Sequence, residues 1–243
     1  MKTLLLILAA FAAIPASAQE PVPALQKSAN VDINGDGKAD SVSLSSKTDS
    51  SRFTITVNGA KLSVAPDSFY DGVPGFQVLK LAGNSKSRYL AVLLVAPSDN
   101  RETRLYLYNG KTIRPAGTVP GAIVAPSGIA YSEWWMGFWQ CKAKFAPGAN
   151  GTVQFVPQAA YYVGKSGTVK ETFVIRTEPT ANAPAVANVA PGSKVELLLY
   201  KPLGKIPTMP EEGYYLIKTA SGQCGWVNFK VFGKKIPDLP FAG

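Results

Sequence analysis

The sequence predicts an all-β protein, and three observations support this fold class. An amphipathic helix requires apolar residues that recur every three or four positions, and no stretch of twelve residues shows this pattern. Short runs of β-branched and aromatic residues instead recur between turn-forming residues, which include 22 Gly and 19 Pro. Two of these runs, Phe53 to Val57 and Leu105 to Tyr108, end at an Asn-Gly pair. Such pairs favour type I′ hairpin turns because Asn and Gly tolerate positive φ angles.

Residues 1–18 have the pattern of a secretory signal peptide. Lys2 gives a positive start, Thr3 to Ile14 is apolar, and Ala16 to Ala18 is a small-residue cleavage site. The apolar run is shorter than the roughly 20 residues that a membrane-spanning helix needs, although a retained anchor is the alternative. The sequence therefore predicts an exported protein, periplasmic or secreted, with no membrane span after signal removal.

The rest of the chain divides into two β-rich parts, a region 19–164 and a region 165–243. The turn-rich segment Gly164 to Gly167 marks the junction between them. In the first region, Tyr89 to Val95 is a continuous apolar run, which is typical of a strand buried on both faces. The second region has short strand-like runs that predict a small barrel.

A stretch of Asp, Asn and Gly opens the first region. Its oxygen-bearing side chains stand at positions one, three, five and nine, with a Gly at six for the sharp turn and a backbone carbonyl at seven. These residues are Asp32, Asn34, Asp36, Lys38 (through its carbonyl only) and Asp40. Oxygens in this pattern can converge on Ca²⁺, so the sequence predicts a structural calcium site; a solvated turn is the alternative.

The segment from Asn30 to Leu44 resembles the loops of FG-GAP and VCBS repeats, which lead directly into a strand. An EF-hand would instead need an acid where Ser43 stands, followed by a helix. The resemblance implies calcium held at the edge of a blade-like sheet. Leu81 to Tyr89 reads either as a second copy without carboxylates or as an ordinary polar turn. The region has room for about three blades, fewer than a closed propeller needs, so we expect a partial propeller-like or irregular β-sandwich domain.

Four segments of the second region resemble the bacterial SH3-like domain and occur in its order. They are Val174 to Pro179, Val189 to Leu197, Gly213 to Lys218 and Ser221 to Val227. The resemblance implies a small SH3-like β-barrel over about residues 168–232 that binds peptides or cell-wall material, and it does not imply catalysis. The insertion from Lys201 to Glu212 departs from the family pattern, and we expect it to reshape the surface groove.

Tyr214, Tyr215 and Trp226 are the predicted ligand-binding residues of this barrel. The family usually has Trp where the two tyrosines stand. Because they are adjacent on a strand, they must point to opposite faces, so one should lie near the surface. Trp226, at the end of a tight hairpin, is interpreted either as core or as the floor of a groove. The implied partner is a cell-wall peptide or glycan, or another exported protein.

An aromatic cluster lies between Glu133 and Trp139. As a strand, it would place Trp135 and Trp139 on one face and the other large side chains, Trp134, Met136 and Phe138, on the opposite face. Burial in a core and a platform for a sugar or cation are both open interpretations.

Cys141 and Cys224 are the two cysteines of the chain. In an exported protein they could form a disulfide that joins the two regions, which would contribute about 4 kcal/mol in the chain-entropy model. The alternative is two unpaired cysteines that pack as small hydrophobes.

The composition excludes several classes of function. There is no His, which removes imidazole-based catalysis and His-ligated metals. The net charge of +9 is spread thinly, with Lys234-Lys235 as the longest basic run, so we expect no nucleic-acid binding. An enzyme would depend on carboxylates such as Asp67, Asp71 and Glu133.

We therefore expect an exported, non-catalytic binding protein with no catalytic residues. Its first domain would be stabilised by calcium, and its barrel would bind a peptide or a peptidoglycan-type ligand of the cell envelope. Two alternatives remain, a carboxylate-based hydrolase of envelope glycans and a purely protein-binding module of an exported assembly.

Overall fold

The computed structural model describes residues 24–47, 50–65, 67–82, 86–97, 100–125, 128–207 and 209–241. The signal peptide predicted at 1–18 lies outside these residues. The all-β prediction is confirmed, because the described chain forms four antiparallel sheets, three with four strands and one with six. A search of the same residues for helices that could cross a membrane finds none.

The first two sheets are meanders in which each strand pairs with the next one along the chain. The first sheet contains β1 (Ser28–Val31), β2 (Asp40–Ser46), β3 (Phe53–Val57) and β4 (Ala60–Val64). The second sheet contains β5 (Gly72–Leu79), β6 (Tyr89–Val95), β7 (Arg101–Tyr108) and β8 (Ile113–Pro120).

The third sheet is also a meander, and the fourth has the order β13-β16-β17-β18-β14-β15. The third contains β9 (Ile123–Val124), β10 (Ala130–Trp135), β11 (Gln140–Pro147) and β12 (Val153–Val156). The fourth contains β13 (Tyr161–Thr168), β14 (Phe173–Arg176), β15 (Ala185–Val189), β16 (Lys194–Pro202), β17 (Gly213–Thr219) and β18 (Cys224–Asn228). A single helical turn, α1 (Phe229–Phe232), follows β18 and is capped by the side chain of Asn228.

Neither a closed barrel nor a closed propeller is found in the part of the chain that the structure describes. Three successive four-stranded meanders are nevertheless the strand arrangement of propeller blades. The partial propeller and the SH3-like barrel therefore stay predictions. The fourth sheet begins at Tyr161, ahead of the boundary predicted at 165. Tyr161 and Tyr162 already pair with β16, before the bulge in β13.

The second sheet is buried on both faces, and this explains its apolar sequence. In β6, six consecutive residues are buried, as the run from Tyr89 to Val95 predicted. Leu90, Val92 and Leu94 pack toward the first sheet, whereas Tyr89 and Ala91 belong to a core shared with the third and fourth sheets. The alternation of side chains along β6 thus joins two hydrophobic cores.

One of the two predicted Asn-Gly turns has the expected geometry. Asn58 and Gly59 have φ angles of 47° and 86°, and Val57 pairs with Ala60 across a two-residue type I′ turn. The type I′ prediction is wrong for the Asn109 hairpin, in which the loop spans residues 109–112. There the Asn109 side chain accepts hydrogen bonds from the backbone amides of residues 111 and 112, at 3.0 and 2.8 Å, which stabilises the longer loop.

The strand predicted through the aromatic cluster ends at Trp135. Gly137, with a φ of 83°, turns the chain, and the Met136 amide donates to the Trp139 carbonyl at 2.8 Å. Strand alternation therefore does not apply beyond Trp135, and the prediction that Trp135 and Trp139 share a face is wrong. Trp134, Met136 and Phe138 do pack against the same core. Trp139 and Phe138 are fully buried, whereas Trp135 is 42% exposed.

This turn carries an aromatic junction between the third and fourth sheets. The Trp139 indole Nε1 donates to the Tyr215 hydroxyl at 3.3 Å, and its ring lies 5.6 Å from that of Tyr200. The ring of Phe138 packs 5.7 Å from Tyr215 and stacks on Phe229 at 5.8 Å. Most of the cluster therefore belongs to a core that extends across both predicted domains.

Replacing Trp139 by Phe should destabilise the protein by about 1–3 kcal/mol, because the buried Tyr215 hydroxyl loses its partner and the smaller ring leaves a void. Urea denaturation followed by circular dichroism measures this change. Trp135→Phe is the matched control, since the exposed indole should contribute little. Equal free energies of unfolding for the two variants would contradict the assignment of Trp139 to the junction.

Candidate functional site

The two adjacent tyrosines of β17 point to opposite faces of the fourth sheet, as the sequence predicted. Tyr215 is fully buried in the aromatic junction, and burial raises the pKa of its phenol. The prediction of Tyr215 as a ligand-binding residue is therefore wrong, because its hydroxyl and ring are occupied inside the core. Tyr214 is half-buried on the outer face.

A groove lies beside Tyr214 on that outer face. It encloses about 220 Å³ and is open to solvent. Its walls come from the loop after β14, the end of β16 and the start of β17, and the lining residues are Glu178, Pro179, Thr180, Lys201, Pro202, Leu203 and Tyr214. Sequence reasoning singled out Tyr214 and the insertion after Lys201. It missed Glu178 to Thr180 as lining residues, although Pro179 is part of the motif that suggested the SH3-like resemblance.

The insertion that follows Lys201 is anchored at both ends. The Leu203 amide donates to the Glu212 carbonyl at 2.9 Å, and the Tyr200 hydroxyl donates to the Met209 carbonyl at 2.9 Å. Leu203 itself remains 69% exposed at the edge of the groove. The hydrogen bonds therefore hold an apolar wall in place beside Tyr214.

Trp226 is half-buried on the outer face of β18, where it pairs with Leu216 of β17 and Arg176 of β14. It does not line the groove beside Tyr214. Tyr214 and Trp226 therefore lie on the same face of the sheet, but in neighbouring rows of cross-strand partners.

The calcium-type loop is a compact turn in which side-chain oxygens accept hydrogen bonds from the loop's own amides. Asp32 accepts from the Gly35 and Gly37 amides at 2.7 and 2.9 Å. Asn34 accepts from the Asp36 amide at 2.9 Å, and Asp36 from the Lys38 amide at 2.8 Å. This last bond, with a second from the Asn34 side chain, lowers the pKa of Asp36.

Asp40 is placed differently from the other predicted calcium ligands. It is 3% exposed, and its two oxygens accept from the Ile33 amide at 2.9 Å and from Asn58 Nδ2 at 2.6 Å. It therefore links the loop to the type I′ turn of the first sheet. Within the described residues, no three Asp, Glu, Cys or His side chains form a group that could hold a metal ion. Calcium binding stays a prediction that rests mainly on Asp32, Asn34 and Asp36.

The calcium-type loop also packs against the segment from Leu81 to Tyr89, for which a second copy and an ordinary turn were the two interpretations. The Arg88 amide donates to the Ile33 carbonyl at 2.8 Å, and the backbone of Lys86 leaves no room for a side chain at Gly35. Residues 83–85 of that segment lie outside the described residues. The contact joins the first and second sheets at one edge.

The two cysteines are unpaired. Cys141 is fully buried in the core between the third and fourth sheets, whereas Cys224 is exposed at the start of β18. The disulfide that the sequence allowed is therefore absent, since one thiol faces the interior and the other faces solvent. Burial raises the pKa of the Cys141 thiol to about 12.

The carboxylates considered for a hydrolase are engaged separately. Asp67 accepts from Arg104 at 3.0 Å in a network that includes Glu102 and Tyr70. Glu133 lies on β10 in an exposed ion pair of 3.3 Å with a lysine. Asp67 and Glu102 are therefore both paired with the Arg104 guanidinium, whereas Glu133 lies on a different sheet.

Comparison of the chain with protein-family models, curated proteins and solved structures finds no match. The FG-GAP/VCBS and SH3-like resemblances thus depend on the motifs quoted above. The groove and the calcium-type loop remain the two candidate sites.

Alkylation of the native protein at pH 8 without reductant should label Cys224 and leave Cys141 unmodified. The Cys141 thiol is fully buried, so the reagent cannot reach it, and its raised pKa of about 12 keeps it protonated. Intact-mass measurement should find one label in the native protein and two after denaturation. Failure to label either thiol in denaturant would show that they form a disulfide.

Proposed function

We propose that this chain is an exported, non-catalytic binding protein whose fourth sheet holds a peptide or peptidoglycan-type ligand of the cell envelope. The observation that carries this proposal is the groove beside Tyr214. It combines an aromatic ring, two prolines and a leucine with one acidic and one basic side chain. Binding sites for small ligands have this composition, mostly apolar with a few polar groups that orient the ligand.

The size of the groove limits the ligand. Pockets for drug-sized molecules enclose about 300–1,000 Å³, and this groove is smaller and open. It therefore suits a short peptide or a stem-peptide segment that crosses the surface and extends beyond it. Glu178 and Lys201 can pair with an amine and a carboxylate of such a ligand.

The SH3-like resemblance supports the same function. Its motifs fall on β14, β16, β17 and β18, and the insertion after Lys201 supplies a groove wall. A small barrel that binds cell-wall peptides is what this resemblance implies. The hydrolase alternative has no comparable support, because Asp67 and Glu102 are both paired with Arg104 and Glu133 is paired with a lysine.

Replacing Tyr214 by Ala should reduce retention of the full-length mature protein on purified peptidoglycan sacculi at least fivefold, because the aromatic wall of the groove is lost. A pull-down followed by quantification of the bound fraction measures this. Tyr131→Ala, which removes a half-buried tyrosine from the third sheet, is the control. Unchanged retention of Tyr214→Ala would contradict the groove as the site, and release of soluble muropeptides would contradict a non-catalytic function.

We also propose a structural Ca²⁺ in the loop from Asp32 to Asp40. Isothermal titration should detect calcium binding to the wild type and a loss of at least tenfold in affinity for Asp36→Ala, because a negatively charged oxygen ligand is removed. Asp71→Ala, outside the loop, should bind as the wild type does. Absence of binding heat in the wild type would reject the calcium site.

A further inference from the structure

The outer face of the fourth sheet carries a row of large side chains that the groove does not use. Tyr162, Leu199, Leu216, Trp226 and Arg176 are successive cross-strand partners on β13, β16, β17, β18 and β14. Directly opposed residues of antiparallel strands project from the same face, so these side chains form one continuous outer row. With strands about 4.8 Å apart, the row is about 19 Å long.

The outer row faces solvent although most of it is apolar. Tyr162 is 74% exposed, and Leu199, Leu216 and Trp226 are half-buried. Tyr162 is held in this position by a bulge in β13: a Cβ at Gly164 would lie only 2.6 Å from the Tyr162 ring. The Tyr162 ring therefore lies against the bulged backbone at Gly164, while most of its surface stays open to a partner.

The charges beside the outer row favour an acidic partner. Arg176 ends the row, and Lys201 lies in the next row beside Tyr214. Neither is in an ion pair within the described part of the chain, although Arg176 Nη1 donates a hydrogen bond to the Ala183 carbonyl at 2.7 Å. Lys218, on the other side of the row, is paired with Glu196 at 3.3 Å. Glu178 is the carboxylate at the groove. Two copies docked through this face would bring these cations together, whereas an acidic segment would pair with them.

We propose that the outer row is a docking surface for an acidic, apolar segment of another protein. An extended segment of about six residues matches the length of the row, at about 3.3 Å per residue. Its apolar side chains would cover Tyr162, Leu199, Leu216 and Trp226, and its carboxylates would pair with Arg176 and Lys201. This surface adjoins the groove beside Tyr214 and shares Lys201 with it, but its four large side chains do not line the groove. A protein partner would therefore use contacts that the envelope ligand does not.

Cys224 provides a direct test, because its exposed thiol lies two positions before Trp226 on the same face of β18. The probe is a synthetic octapeptide of alternating Glu and Leu that carries an activated pyridyl disulfide. The Cys224 thiolate attacks the peptide's disulfide sulfur, a protein–peptide disulfide forms, and pyridine-2-thiol leaves. Docking on the outer row raises the local concentration of the probe, so the tethering rate reports binding.

The Glu-Leu peptide should tether to the full-length mature protein at least fivefold faster than peptides with Lys in place of Glu or Ser in place of Leu. Tyr162→Ser and Arg176→Gln should remove most of this advantage. Phe69→Ser, which changes an aromatic residue that is 55% exposed elsewhere, should retain it. Raising the salt from about 0.1 to about 1 M, where the Debye length falls from about 10 to about 3 Å, should slow the Glu-Leu peptide.

Several outcomes would overturn the proposal. Equal rates for the three peptides, or an unchanged rate in Tyr162→Ser, would show that the outer row does not bind the probe. A dimer that forms at micromolar concentration and dissociates in Tyr162→Ser would assign the row to a second copy instead. Tyr214→Ala should still tether, and Tyr162→Ser should still bind sacculi, so failure of the groove and failure of the outer row give different results.

Discussion

The contact between Trp139 and Tyr215 determines how the second half of the molecule is arranged. It lies at the centre of an aromatic junction in which the turn at Gly137 directs two fully buried rings toward the fourth sheet. Because residues alternate along a strand, burying Tyr215 necessarily turns Tyr214 outward. The same constraint that joins the third and fourth sheets therefore also creates one wall of the groove. Of these two adjacent residues, Tyr215 packs in the junction and Tyr214 lines the candidate site.

The sequence was informative wherever a local pattern decides the structure. The apolar run of β6, the turn at Asn58-Gly59 and the opposite orientation of Tyr214 and Tyr215 follow from periodicity and backbone geometry, and all three are confirmed. The prediction that Trp135 and Trp139 share a face failed because Gly137 ended the alternation. The partners of Tyr214 in the groove could not be predicted, since Glu178 to Thr180 reach it only through the pairing of β14 with β18.

The two candidate sites use their polar groups in opposite ways. In the loop from Asp32 to Asp40, carboxylates are turned toward backbone amides, and Asp40 is buried as a structural link. In the groove, Glu178 and Lys201 face open space beside apolar walls. The first arrangement stabilises a turn with or without an ion, whereas the second leaves charges available to a ligand. A chain without His can serve both purposes, because neither requires a group that titrates near neutral pH.

The strand order of the fourth sheet also has a consequence for synthesis. The β14–β15 hairpin joins the rest of the sheet only through β18, the last strand, whereas β13 sits at the far edge beside β16. A nascent chain can form the three meanders one after another as they emerge, since their pairings are local. The fourth sheet, in contrast, must wait until residues near 228 are available. Until then the β14–β15 hairpin has no strand to pair with, although β13 can already pair with β16. A chain truncated before β18 would therefore leave this hairpin without its link to the sheet.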